Sequence, residues 1–221
     1  HLGAGKSKDV VDQLGLEALA KAAKGGPIKR PSDGKEVKSV VFIQCAGQRS
    51  DKEGELPYCS GHCCNTSIKQ AMYFKDQNPD IDTVVMYTDL RTPGNGEDFY
   101  RSAQKKGVIF TKGVASEVVA GGELQVKFND KILNEDAIAK ADLVVLATGM
   151  VANSGVDIDA VKQDEPGQWA ENKASVLNMV YRQGKDLPLL KNGFNDSHFI
   201  CFPYETRRTG IYAAGPVRRP M

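Results

Sequence analysis

Four cysteines lie within twenty residues, in the pattern C-x13-C-x3-C-C formed by Cys45, Cys59, Cys63 and Cys64. Thiolates bind iron and zinc, and they are also the nucleophiles of disulfide exchange. The chain has five cysteines, an odd number, and its start lacks the basic-then-apolar plan of a secretory leader. This combination favours metal or redox chemistry in a reducing compartment over a disulfide framework.

The spacing of the four cysteines favours one kind of site without excluding others. A four-thiolate set suits a [4Fe–4S] cluster, which takes one cysteine per iron and tolerates irregular spacing. It suits a single zinc ion less well, because adjacent cysteines chelate one small ion awkwardly. Thiol–disulfide chemistry and unligated core cysteines are further alternatives. Cys201 is predicted to be a small buried hydrophobe, and His62 a solvated or supporting residue rather than a ligand.

The elements that must position these cysteines alternate between strand and helix. Residues 40–43 are apolar on both faces, which is typical of a central parallel strand. The pattern then predicts a helix over residues 63–76, a strand over 83–87, a helix over 98–106 and a strand over 108–111. An antiparallel hairpin over 114–119 and 124–128 follows, and then a last apolar strand over 142–147.

This alternation brings the four thiols together. Cys45 follows the first strand, and ligands of open α/β sheets sit beyond the carboxyl ends of the strands. Cys63 and Cys64 begin the first helix of the alternation, and the loop between them and Cys45 must return to that same end of the sheet. The positive end of the helix would stabilise an anionic cluster, and Arg49 and Lys69 could add to this.

The chain is predicted to have three parts. Residues 1–37 are a lead-in that contains a helix over residues 10–24, and residues 38–149 form a Rossmann-like α/β unit with a β-meander flap. Residues 150–221 are a connection and a last ordered segment. In this third part the pattern predicts a helix near residues 174–183 and short strands over residues 199–202 and 210–214.

The sequence contains only some of the motifs that are typical of nucleotide-binding proteins. The first strand is followed by Cys45-Ala46-Gly47-Gln48-Arg49 and not by G-x-G-x-x-G, which argues against NAD(P)H binding in this unit. The strings L-V-V-L-A-T-G over 143–149 and T-G-I-Y-A-A-G over 209–215 resemble flavoprotein segments, although each also fits a buried strand that ends in a glycine turn. The predicted flavin contacts are Thr148, Gly149, Gly215, Pro216 and Val217, and Pro216 replaces the aspartate usual in such segments.

Composition excludes several classes of protein. With a formal charge of +1 and 26% charged residues, the chain offers no electrostatic case for nucleic acid or a membrane surface. Its apolar runs are strand-sized and far below the ~20 residues of a membrane span. We therefore predict a cytoplasmic protein whose membrane links, if any, run through partner subunits. The sequence starts at His1 and is interpreted as an internal piece of a longer protein, with no predicted catalytic residue of its own.

Residues 40–49, 58–64 and 89–92, together with Phe99-Tyr100, resemble the A subunit of heterodisulfide reductase and its relatives, the A and B subunits of the quinone-interacting membrane-bound oxidoreductase complex of sulfate reducers. The ending over 215–220 looks closer to the B subunit of that complex. The resemblance implies a thioredoxin-reductase-like fold, a [4Fe–4S] cluster on the four cysteines near FAD, and electron transfer between the subunits of a redox complex.

In this interpretation FAD is held mainly by the parent protein and can be lost from the fragment, while Asp89, Arg91 and Arg207 are candidate flavin or interface contacts. Two other hypotheses stay open. One is a pyridine-nucleotide disulfide oxidoreductase that uses its cysteines for exchange, and the other is a non-catalytic zinc-binding or interaction domain.

Overall fold

The computed structural model describes residues 2–152, 191–195, 200–201, 204–206 and 210–218. His1–Gly149 and Met150–Met221 form two compact units. The first unit contains, in chain order, β1 (Val10–Asp12), α1 (Gln13–Ala23), β2 (Ser39–Ile43), α2 (Cys63–Gln77), β3 (Asp82–Tyr87), α3 (Gly96–Lys105), β4 (Ile109–Val119), β5 (Leu124–Asp130), β6 (Glu135–Ala141) and β7 (Leu143–Leu146).

The seven strands form one sheet in the order β1-β7-β2-β3-β4-β5-β6. The pairs from β1 to β4 are parallel, and β4, β5 and β6 form an antiparallel meander. β2 lies between β7 and β3, and its residues from Val40 to Ile43 are all at most 3% exposed. A strand that is buried on both faces needs a continuous apolar run, and this one has it.

Alternate residues of the central strands enter two different cores. Val40 and Phe42 point to a cluster that is shared with α2 through Ile68 and Phe74. Val41, the neighbour of both, points to the opposite cluster, which is shared with Val126 and other residues of the meander. Because side chains alternate along a strand, helices cover one face of the parallel sheet and the folded-back meander covers the other.

The predicted α/β fold class, with a parallel sheet, flanking helices and a meander flap, is confirmed. Strand β2, helix α2 and strand β3 lie within one residue of their predicted bounds.

Three local predictions were wrong. The helix predicted over residues 10–24 begins only at Gln13, because Val10 and Val11 pair with β7 as strand β1, and Asp12 caps the helix by accepting from Gly15 N at 2.7 Å. The two strands predicted over 108–119 are one strand, β4, with an irregularity between Ala115 and Glu117. β6 was missed, since its charged, half-exposed sequence has little strand signal.

The described part of the second unit is short. Glu205 and Tyr212 form an antiparallel bridge, supported by Thr206 N to Ile211 O and Ala213 N to Tyr204 O, both 2.8 Å. Within the described residues 210–218 this bridge replaces the predicted strand. Gly215–Arg218 form a 3-10 turn. The helix predicted near 174–183 and most of the strand predicted over 199–202 lie outside the described residues.

Candidate functional site

The first cysteine is placed by an abrupt end to strand β2. Cys45 comes two residues after β2 and has a left-handed backbone, with φ of 54°, and Arg49 has φ of 56°. Such conformations are uncommon for residues other than glycine, and they turn the chain sharply away from the strand direction. Cys45 therefore stands at the carboxyl edge of the parallel sheet, where the sequence analysis expected it.

The loop between Cys45 and the helix is folded onto itself. Leu56 N donates to Gly47 O at 2.9 Å, Ser50 N donates to Leu56 O at 3.2 Å, and Arg49 N donates to Tyr58 O at 3.3 Å. Gln48 and Leu56 form a parallel bridge. These bonds return the chain to the start of α2, so that Cys59 reaches the same edge of the sheet as Cys45.

The last two cysteines occupy the first turn of α2. The N-cap residue His62 makes no side-chain capping bond, and its Nδ1 lies 3.3 Å from Ser60 O. The first N–H groups of a helix have no partner within the helix and carry its positive dipole end. Cys63 and Cys64 are each 7% exposed, so two buried sulfurs lie at a helix end that favours negative charge.

Burial and mutual charge act on the thiols of the cysteine set. Burial raises the pKa of the Cys45 and Cys63 thiols, and it raises the pKa of Cys64 to about 11. Negative charge on the other members of the set, Cys59 included, raises the same three values further. Thiols in this setting lose their protons most readily when a bound cation compensates the charge.

N–H donors face two of the four sulfurs. The side-chain Nε2 of Gln48 lies 3.6 Å from Cys63 Sγ, and the backbone N of Arg91 lies 3.4 Å from Cys64 Sγ. The guanidinium charge of Arg49 acts on a third cysteine, Cys45. Each of these three groups lowers the pKa of the thiol on which it acts, which means that it favours the thiolate form.

Arg49 and Lys69 were predicted to support the site, and they have different partners in the structure. The charge of Arg49 lowers the pKa of Cys45, and its guanidinium pairs with Asp89, with Nη2 to Oδ2 at 2.7 Å. The expectation for Lys69 was wrong, because its ammonium pairs with Glu17 at 2.8 Å and lies over the Tyr73 ring. Lys69 serves the contact between α1 and α2 instead of the cysteine site.

Gln48 links the cysteine loop to the end of β7. Its Nε2 donates to Ala147 O at 2.7 Å, and its Oε1 accepts from Ser60 Oγ at 2.6 Å. A Cβ atom at Gly149, where φ is 83°, would lie 2.1 Å from Gln48 Oε1 and 2.4 Å from Ser60 Oγ. The glycine predicted to contact a flavin is therefore also required by packing within this unit, while Thr148 beside it is exposed.

The other predicted flavin contacts lie in the second unit. Gly215, Pro216 and Val217 belong to the 3-10 turn and are exposed. Cys201, predicted to be buried, is exposed, and that expectation was wrong. Arg207 lies outside the described residues.

Sequence reasoning missed Gln48, Ser60 and the backbone amide of Arg91 as parts of the site. The one signal for these roles in the sequence is weak, namely the position of Gln48 in the segment that follows Cys45. In the described ranges, no three His, Cys, Asp or Glu side chains are placed to hold one metal ion. No described helix is both long enough and apolar enough to cross a membrane.

The chain belongs to the family of heterodisulfide reductase A subunits, as its homologues show. It is 39% identical over 226 residues to the iron-sulfur A subunit of the CoB–CoM heterodisulfide reductase of Methanocaldococcus jannaschii, a match that covers 99% of this chain and 31% of the relative. It is 32% identical over 225 residues to the A subunit of the H2:CoB–CoM heterodisulfide,ferredoxin reductase of Methanothermobacter marburgensis, with coverage of 99% and 31%. The chain thus spans about a third of the length of these curated relatives.

A third relative and one solved structure are also similar to the chain. One of two iron-sulfur A subunits of the CoB–CoM heterodisulfide reductase of Methanopyrus kandleri is 40% identical over 160 residues, which are 68% of this chain and 24% of the relative. The crystal structure of T. acidophilum thioredoxin reductase matches with a TM-score of 0.44 and 16% identity, over 95% of this chain and 49% of that one. No protein-family model matches the chain.

Proposed function

We propose that this chain is the electron-transfer segment of an oxidoreductase of the heterodisulfide reductase A type, and that Cys45, Cys59, Cys63 and Cys64 hold a [4Fe–4S] cluster in it. The observation that carries the proposal is the pair of N–H donors that face the Cys63 and Cys64 sulfurs, beside the Arg49 charge that lowers the pKa of Cys45. The names of two of the relatives above, which contain the term iron-sulfur, agree with it.

The donor set fits a cluster of thiolates. A neutral thiol is a weak hydrogen-bond acceptor, whereas a thiolate that binds iron carries negative charge and accepts N–H bonds well. Hydrogen bonds to the sulfurs and burial are two of the features by which proteins tune such clusters. Cys63 and Cys64 supply the burial, and Gln48 and Arg91 supply the bonds.

A bound [4Fe–4S] cluster would accept and release one electron at a time. The residues of this chain would hold it and limit its exposure to water, because two of the ligands begin a packed helix and the loop over residues 46–62 closes on itself. The N-terminal end of α2 would offset part of the negative charge. Electron transfer of this kind requires burial and fixed dipoles instead of an acid or a base.

We also propose that the parent protein binds FAD near this site and that Thr148, Gly149, Gly215, Pro216 and Val217 contribute to its binding. The support is the residue pattern of the two strings that end in glycine, over 143–149 and 209–215, and the position of Thr148, which is exposed just beyond the carboxyl end of β7. Much of the FAD site would come from parts of the parent protein outside this chain.

The physiological setting is a further proposal. The ending Gly215-Pro216-Val217-Arg218 and the following Arg219-Pro220 resemble the B subunit of the quinone-interacting complex, which would place the protein in sulfate reduction, cytoplasmic and linked to a membrane through partner subunits. The relatives found by comparison are named as subunits of heterodisulfide reductases. In either setting the partners would be other redox subunits.

The test is reconstitution under anaerobic conditions with iron and sulfide, followed by analysis of iron, sulfide and zinc and by low-temperature EPR. We expect about four irons and four sulfides per chain, and their loss in the double variant Cys63→Ser, Cys64→Ser. Cys201→Ser is the matched control, because Cys201 is exposed and lies outside the four-cysteine set. Wild-type protein that takes up no iron would contradict the proposal.

Disulfide exchange and zinc binding are the competing outcomes of the same experiment. A nucleophilic cysteine normally has a lowered pKa, yet burial raises the pKa of both Cys63 and Cys64. One zinc per chain would favour a structural domain. Free thiols that exchange with a disulfide would favour the oxidoreductase hypothesis.

A further inference from the structure

We propose that Gln48 sets the reduction potential of the cluster, by donating a side-chain N–H to the Cys63 thiolate from a position fixed by Ser60 and Ala147. Gln48 would be a positioning residue, because it would act through a ligand and not through the irons. The inference rests on the proposed function.

The hydrogen bonds of Gln48 define the orientation of its amide. Nε2 has two hydrogens, and it lies 2.7 Å from Ala147 O and 3.6 Å from Cys63 Sγ. Oε1 accepts from Ser60 Oγ at 2.6 Å and from Ser60 N at 3.4 Å, and it lies 4.0 Å from Cys63 Sγ, farther than Nε2 does. In the flipped amide an oxygen would face the carbonyl of Ala147 and a nitrogen would face the N–H of Ser60. Both contacts would be repulsive, so the network selects the orientation that points an N–H at sulfur.

The amide has little freedom to leave this position. Gln48 is 5% exposed and Ser60 is fully buried, and the backbone N of Gln48 donates to Cys45 O at 3.2 Å. Gly149 closes the remaining side, since its backbone approaches so near that no Cβ atom fits there. A hydrogen bond whose geometry is fixed in advance in a buried site acts strongly on nearby charge.

The direction of the effect follows from charge. Reduction adds one electron to the cluster, breaks no bond and makes the sulfur ligands more negative. A bond from the Gln48 N–H to Cys63 would be stronger in the reduced state than in the oxidised state, and this difference raises the midpoint potential. Gln48 is better suited to this than Arg49, whose side chain is 28% exposed and whose guanidinium pairs with Asp89.

The test compares midpoint potentials of the reconstituted protein, measured by EPR during titration with dithionite as the one-electron donor. Gln48→Met keeps the length of the side chain and removes both the donor and the acceptor, and Gln48→Glu replaces the donor by a carboxyl group. We expect both to lower the potential and Gln48→Glu to lower it more. A tenfold change in the ratio of reduced to oxidised cluster corresponds to ~59 mV for a one-electron couple.

The matched control is Gln13→Met. Gln13 is also buried, at 8% exposure, and its Nε2 donates to the Cys63 carbonyl at 2.9 Å and to Ser67 Oγ at 2.8 Å. It holds the same residue without touching the sulfur. A general structural effect would appear in this variant as a lower thermal stability, and we expect its midpoint potential to stay at the wild-type value.

Each outcome decides between the two proposals. Gln48 variants that keep their iron and show the wild-type potential would overturn the inference and leave the cluster proposal standing. Wild-type protein without iron would overturn both. If the Gln48 variants lose the cluster, Ser60→Ala decides. It keeps the amide N–H and removes the hydroxyl that orients it, so a small fall in potential supports the inference and an unchanged potential contradicts it.

Discussion

At the scale of single residues, two buried glutamines of this protein, Gln48 and Gln13, connect separate parts of the first unit. Gln48 joins the cysteine loop to the end of β7, and Gln13 joins α1 to the first turn of α2. A primary amide is neutral and offers two donors and an acceptor, so it can be buried without the desolvation cost of a charge when all of its bonds are made. Gln48 faces the Cys63 sulfur itself, whereas Gln13 contacts only the backbone of that residue and the Ser67 hydroxyl.

Gly149 gives a residue-scale prediction. Gly149→Ala would place a Cβ atom 2.1 Å from Gln48 Oε1 in a residue with φ of 83°, so both overlap and backbone strain oppose it. We expect a loss of more than ~2 kcal/mol in the free energy of unfolding, measured with denaturant, of which ~1–2 kcal/mol is strain.

Gly34→Ala is the control for this prediction. Gly34 has φ of 73°, but no atom lies within 4 Å of the position that a Cβ atom would take there, so this variant meets only the strain. Equal losses in the two variants would show that the side chains of Gln48 and Ser60 move aside easily, contrary to the fixed geometry proposed for Gln48.

At the scale of elements, the outer contact between α1 and α2 is made largely by polar groups. Glu17 on α1 pairs with Lys69 at 2.8 Å, accepts from Gln70 Nε2 at 3.0 Å and contacts Tyr73 Oη at 3.4 Å, all on α2. Below this polar layer, Leu16 and Ile68 are fully buried. The apolar layer stabilises the contact and the polar layer orients it.

Glu17 makes this contact sensitive to pH. Desolvation tends to raise the pKa of Glu17, but hydrogen bonds from Lys69 and Gln70 with the charge of Lys69 outweigh it, and the pKa falls below its ordinary value of 4.5. A carboxyl group with a lowered folded-state pKa stabilises the fold above its unfolded-state pKa and loses this effect as the pH falls through the folded-state value.

We therefore expect Glu17→Gln to be less stable than wild type by a constant amount near neutral pH, with the difference shrinking below about pH 4.5. Chemical unfolding at several pH values measures this, and the effect should be small because the Glu17 side chain is 36% exposed. Glu97→Gln is the control, since Glu97 pairs only with Arg101 on its own helix among the contacts described. A difference that grows towards low pH would contradict the proposed role of Glu17.

At the scale of the whole molecule, every described contact of the four cysteines comes from the first unit. Arg49, Gln48 and Arg91 all lie within His1–Gly149, whereas three of the five proposed flavin contacts lie in Met150–Met221. The proposed cluster should therefore need only the first unit, whereas the proposed flavin contacts need residues of the second unit as well.

This division predicts the behaviour of a truncated protein. Residues 1–149 expressed alone should bind about the same amount of iron and give the same EPR signal as the full chain after reconstitution. Any FAD affinity measured by fluorescence on the full chain should be weaker in the truncated protein. The cysteine double variant in the truncated background is the control. Loss of the cluster on truncation would show that residues 150–221 take part in the site.

The sequence by itself determined the parts of the molecule whose causes are local. The apolar run of β2, the periodicity of α2 and the thiols between them are properties of short segments, and a parallel α/β unit must bring strand ends and helix starts to one edge. The α/β fold class could thus be predicted, and the convergence of the four cysteines on one cluster stays a proposal that only iron analysis will test.

Only the tertiary structure decided the rest, because it depends on partners that are distant in sequence. Val10 and Val11 are strand residues because β7, more than 130 positions away, offers them hydrogen bonds, and β6 is a strand because β5 pairs with it. Gln48 lies 99 positions from the carbonyl that fixes its amide. Neither periodicity nor composition reports such pairings. The pairings, however, are what give a buried polar side chain its role.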